Sequence, residues 1–135
     1  KFIRLQCANL RSMSLAESGK GKDLMEIDDV QKHINPYVQS LKHEHTIYEI
    51  MVPAVRLQSV IDSSGWSEFS LLSLDTEGSE LAVLDGIDFN KTRIKLILIE
   101  TRNLVRMTSY LEKYNYVYIK SMDNVTHLFE NFSFT

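Results

Sequence analysis

The chain has 135 residues, 44% of them hydrophobic, and a net charge of −3 with a pI near 5.8. That is the size of one domain built on one core. The acidic balance leaves no electrostatic footprint for nucleic acid, no apolar run is long enough to span a membrane as a helix, and a lone cysteine, Cys7, rules out an internal disulfide or a cysteine-based zinc site.

Residues 2–8 read as a short strand, with Cys7 behaving as a small hydrophobe. The first residue is Lys1, already inside this pattern, so a cut N-terminus is expected. No signal peptide is visible, which leans towards a cytoplasmic location without fixing it. Residues 11–45 read as a loop-rich insertion in a single domain spanning 1–135. Within it, the Ser18-Gly19-Lys20-Gly21-Lys22-Asp23 stretch lacks the spacing of a phosphate-binding loop and reads as a turn. Val30, Ile34, Val38 and Leu41 keep helical spacing, but Pro36 interrupts it. His33, His43 and His45 lie in polar surroundings and read as surface residues, not metal ligands.

Residues 47–52 alternate as a strand that Pro53 ends or holds at an edge. A helix over 55–63 follows, with Leu57, Val60 and Ile61 on one face, closed by Gly65 and a packed Trp66. Residues 69–74 are apolar enough for a buried central strand. A helix follows, carrying Leu81, Leu84 and Ile87, with Gly86 as its C-terminal stop. Residues 94–99 form a second buried strand, then Leu104, Met107, Leu111 and Tyr114 form a helical stripe that leaves through Asn115. Residues 116–121 and 125–130 form an antiparallel hairpin around Met122-Asp123-Asn124. Apolar strands that alternate with helices imply parallel neighbours and crossovers. The fold class is therefore α/β, a βαβα unit with a parallel core and a terminal antiparallel hairpin. Asn90, Asn124 and Asn131 head N-x-Ser/Thr triplets, and glycosylation is a minor possibility.

The chemistry concentrates where the strand over 69–74 ends. Asp75-Thr76-Glu77-Gly78-Ser79-Glu80 places three carboxylates, two hydroxyls and a glycine just past the C-terminal end of a strand, where open α/β sheets bind ligands. The same residues also suit an ordinary turn and helix start. The strand over 94–99 ends likewise in Glu100-Thr101-Arg102-Asn103.

Several segments together, in order, resemble the FkbM-type methyltransferases. They are Val52-Pro53-Ala54-Val55-Arg56-Leu57, Leu72-Ser73-Leu74-Asp75-Thr76-Glu77-Gly78-Ser79-Glu80, Val83-Leu84-Asp85-Gly86-Ile87, Ile97-Leu98-Ile99-Glu100, and Tyr110-Leu111 to Tyr116. The resemblance covers roughly residues 47–130. It implies a Rossmann-like methyltransferase sheet, mostly parallel with a C-terminal antiparallel hairpin and incomplete here. Residues 69–75, 94–100 and the hairpin would be its later strands, and residues 2–8 would lie near its third. It implies S-adenosylmethionine as cofactor and a hydroxyl of a small molecule or sugar as methyl acceptor. Asp75, Glu77 and Glu100 are then the catalytic candidates, and Asp75, Thr76, Gly78, Cys7 and Ala8 the cofactor-binding ones. Glu80 either joins them or is structural, bonding backbone amides or pairing with Arg56 or Arg102. A second chain or an N-terminal half would complete the sheet. The alternative is a methyltransferase-like domain without chemistry that serves as an interaction or scaffold module. A metal-binding turn has too poor a ligand set to prefer.

Overall fold

The computed structural model describes residues 2–7, 13–15, 35–36 and 48–134. The first strands, β1 (Phe2–Cys7), β2 (Met13–Leu15) and β3 (Tyr48–Pro53), form an antiparallel sheet in the order β2-β1-β3. Pro53, which has no N–H to donate, ends β3 on an edge, as its chemistry requires.

The rest of the chain builds a second unit. It runs α1 (Leu57–Ser64), β4 (Glu68–Leu74), α2 (Glu80–Leu84), β5 (Arg93–Glu100), α3 (Leu104–Leu111) with a 3₁₀ turn at Glu112–Tyr114, β6 (Tyr116–Ser121) and β7 (Thr126–Asn131). Its strands lie in the order β4-β5-β7-β6. The two apolar strands β4 and β5 are parallel and joined through α2. The β6–β7 hairpin is antiparallel and folds back so that β7 slots against β5.

One core holds this unit together. Leu74, Leu81, Leu84, Ile87, Ile94, Ile97, Ile99, Met107, Leu111, Tyr116 and Phe129 are buried in one cluster. Each fully buried side chain of this kind contributes roughly 1.5–3 kcal/mol. The three-residue spacing of Leu81, Leu84 and Ile87 places all of them in that cluster. At the N-terminal end of β5 the Tyr116 hydroxyl donates to the Ile94 carbonyl at 2.7 Å. Phe89 stacks on Tyr114 at 4.4 Å beside it. Asn115 leaves the 3₁₀ turn in the left-handed conformation, at φ 67°. Among the described residues, no helix is long and apolar enough to cross a membrane.

Several expectations change. The described sheet is mixed, not mostly parallel: β4–β5 is its parallel pair, while β5–β7 and β6–β7 are antiparallel. The reason is local, since a short turn can only reverse the chain and the returning strand takes the place beside β5. Residues 2–7 belong to the separate antiparallel sheet and not beside β4. β4 is an edge of the described sheet and only half covered: Leu74 is buried but Leu71 is 52% exposed. Trp66 and Val60 are exposed rather than packed. Gly86 does follow α2, but not in a left-handed conformation. It is small because backbone crowds it. A Cβ there would stand 3.0 Å from the Val83 carbonyl oxygen and 3.4 Å from the Leu57 amide nitrogen, and its own carbonyl accepts from the Gln58 amide.

Candidate functional site

The register pairs Leu74 with Ile99 in parallel strands. The next residues, Asp75 just past β4 and Glu100 at the last position of β5, therefore stand side by side at the C-terminal end of the pair. Asp75 is exposed and Glu100 half-buried. The turn that follows Asp75 is tightly wound. Glu77 and Gly78 both take positive φ, 52° and 96°, a pair of successive conformations that only the glycine adopts freely.

The Glu80 side chain holds this turn. It is 1% exposed. Its Oε1 accepts from the Thr76 amide at 2.7 Å, the Thr76 hydroxyl at 3.0 Å and the Gly78 amide at 3.1 Å. Its Oε2 is buried without a hydrogen-bond partner. Ser79, at the helix start, makes no side-chain capping bond. Of the two roles expected for Glu80, the structure has the backbone one. Arg102 instead reaches Glu77 at 3.9 Å and Glu100 at 3.6 Å.

The result is a dense negative site. Burial pushes the Glu100 carboxyl above the usual carboxylate range. Asp75 adds to the rise, Arg102 opposes it, and Glu77 and Glu80 add further. Asp75, Glu77 and Glu80 thus gather around Glu100, and Arg102 pairs with two of these four carboxylates, Glu77 and Glu100. Such a site favours a positively charged or proton-donating ligand over an anion. The amides of Thr76 and Gly78, which might have cradled an anion, already point at Glu80. Among the described residues, no group of three His, Cys, Asp or Glu side chains is arranged to hold a metal ion.

The structure thus brings Asp75, Thr76, Glu77, Gly78 and Glu100 to one end of the β4–β5 pair. It does not bring Cys7 there through the sheet: Cys7 pairs with Tyr48 in the other sheet. Ala8, His33, His43, His45 and the stretch 18–23 lie outside the described residues. Sequence reasoning passed over His127. This residue is 4% exposed and lies opposite Ile99 on β5. Its Nδ1 is 2.8 Å from the Ser121 hydroxyl, which is 2.9 Å from the Tyr118 hydroxyl. The alternation of His127 with Phe129 was the available signal for a core-facing position. Its link to Ser121 needed the hairpin register.

The family model described as Methyltransferase FkbM domain matches residues 5–118. No curated protein and no solved structure matches the chain.

Proposed function

The chain belongs to the FkbM methyltransferase domain family, and from that premise we propose that it is the C-terminal part of an S-adenosylmethionine-dependent O-methyltransferase acting on a hydroxyl of a small molecule or sugar. The observation that supports this reading is the crowding of Asp75, Glu77 and Glu80 around Glu100, with Arg102 as counter-charge. A carboxylate-rich site at the C-terminal end of parallel strands suits a cationic cofactor. When bound, S-adenosylmethionine supplies a methyl group on a positively charged sulfur.

Each residue then has a task that its surroundings support. Asp75, exposed at the tip of β4, binds the positive part of the cofactor or the acceptor. Glu77 balances Arg102 and adds negative potential. Thr76 and Gly78 act through the shape of the turn, since their amides are bonded to Glu80. Glu100 is the residue to take the acceptor proton: its raised affinity for a proton makes it a better base near neutral pH. Arg102 lies beside its Oε1, so Oε2 is the atom for that transfer. Cys7 and Ala8 remain candidates for the adenine side. No glycine-rich G-x-G-x-x-G turn occurs in these 135 residues. We place the remaining cofactor contacts on further residues or on a second chain that completes the sheet.

Calorimetric titration of S-adenosylmethionine into this chain, and into the longest native form containing it, tests the reading. Saturable binding to the longer form supports it, and Asp75→Ala in that form should weaken binding or turnover by about tenfold or more with little change in melting temperature. Binding to neither form would favour a methyltransferase-like interaction module. Equal losses of stability and activity would make Asp75 a turn residue.

A further inference from the structure

We infer that Glu80 is the positioning residue of the acidic turn: its buried carboxylate fixes the backbone between β4 and α2 and so sets where Asp75 and Glu77 stand relative to Glu100. The inference rests on the reading above only in treating this turn as part of a transfer site.

The geometry points to reach, not charge, as what matters at this position. A single oxygen, Oε1, gathers the Thr76 amide, the Thr76 hydroxyl and the Gly78 amide. The Thr76 and Gly78 amides, two residues apart, converge on that one acceptor across a turn in which the residue between them, Glu77, is left-handed, a backbone arrangement that turns successive N–H groups to one side. The ordinary device for starting a helix, a side-chain bond from the capping residue, is absent at Ser79. The Glu80 carboxylate reaches back across the turn in its place. Without that acceptor, two backbone donors in a largely buried turn would lack a partner, and such donors are paired in nearly all folded proteins. The turn would rewind, and Glu77 would return to a right-handed conformation. Asp75 and Glu77, two of the carboxylates that raise the Glu100 proton affinity, would then move away from it.

Two conservative variants separate reach from charge. Glu80→Gln loses the charge but keeps an oxygen at full length. Its amide nitrogen falls where Oε2 now has no donor to clash with. Glu80→Asp keeps the charge but is one methylene short of the three donors. Each is made in the longest native form of the protein. Glu100 is followed by carbon-detected NMR of its side-chain carboxyl through a pH titration, alongside thermal melts and S-adenosylmethionine calorimetry.

Glu80→Gln should lower the Glu100 midpoint only slightly, because it removes the smallest of the charges that raise it and leaves the turn in place. Glu80→Asp should bring it down towards the ordinary carboxylate range, and should weaken cofactor binding about tenfold. The reverse order would overturn the inference, because it would make charge the operative property. An unchanged midpoint in a folded Glu80→Asp protein would overturn it too, because the turn would then hold itself. If the parent does not bind S-adenosylmethionine, the functional reading fails, while the Glu100 titration still decides the role of Glu80.

Discussion

Glu77 shows at the scale of one residue how the site is held. A side chain bearing a Cβ loses about 1–2 kcal/mol in the left-handed region, and Glu77 is there at φ 52°. Three hydrogen bonds to the adjacent Glu80 carboxylate offset that cost. Glu100 carries a pH signature of the same crowding. Its carboxyl is raised by burial first, then by Asp75, with Arg102 opposing. The folded chain therefore binds this proton more tightly than the unfolded chain does. The contribution of Glu100 to stability is best below both pKa values and falls as pH rises from the ordinary carboxylate value through the raised native one. Glu100→Gln should remove that fall and raise the melting temperature at neutral pH relative to the parent. Melts between pH 4 and 8 check it, and a variant less stable than the parent at neutral pH would mean that the Arg102 pair outweighs the crowding. Asp123 has the opposite sign. Its carboxyl is held low by the Val125 and Thr126 amides and the Thr126 hydroxyl, so its contribution is lost only as pH falls through its lowered value.

Among the elements, β4 is the informative one. Its apolar run predicts a strand, and a strand forms, but burial differs along it. Leu74 faces the core beside Ile99, whereas Leu71 is 52% exposed. The helical side chains that pack on the sheet, Leu81, Leu84, Met107 and Leu111, share one cluster with Leu74 and Ile99. Leu74→Asp places a charge in that cluster and next to the carboxylates of the turn. It should cost about 3–5 kcal/mol and unfold the unit. Leu71→Asp should change stability by no more than about 0.5 kcal/mol. Urea titrations followed by circular dichroism compare the two, and equal losses would show that both faces of β4 are covered. The helix ends also follow their chemistry. Asn103 caps α3 through Oδ1 to the Arg106 amide at 3.0 Å, and Gly65 closes α1 in the left-handed conformation.

Taken whole, the molecule divides its order between two sheets. The core cluster draws on residues from β4 to β7, with Leu57 of α1 packed against it, while the large apolar residues Tyr48, Ile50 and Met51 of β3 are exposed. Elements with few buried apolar contacts open first. Amides of the β1–β3 pair should therefore exchange with solvent well before those of β5, which is paired on both sides and carries Ile94, Ile97 and Ile99 at 2% exposure or less. Hydrogen exchange read by mass spectrometry or NMR checks this, and equal protection would show that the two sheets unfold as one. The order of strands and helices from α1 onwards, the hairpin, the acidic turn and the family were all legible in the amino-acid sequence. Those depend on apolar spacing, capping residues and motif order, which are local properties of the chain. Tertiary structure alone decided that β7 lies between β5 and β6, that β1 joins a different sheet from β4, and that Arg102 serves Glu77 and Glu100 while Glu80 holds the turn. Each of these depends on which distant segments share a surface, and spacing along the chain does not encode that. A carboxylate in a motif reads the same whether it faces solvent, a guanidinium or its own backbone. Only the folded backbone brings one of those partners within reach.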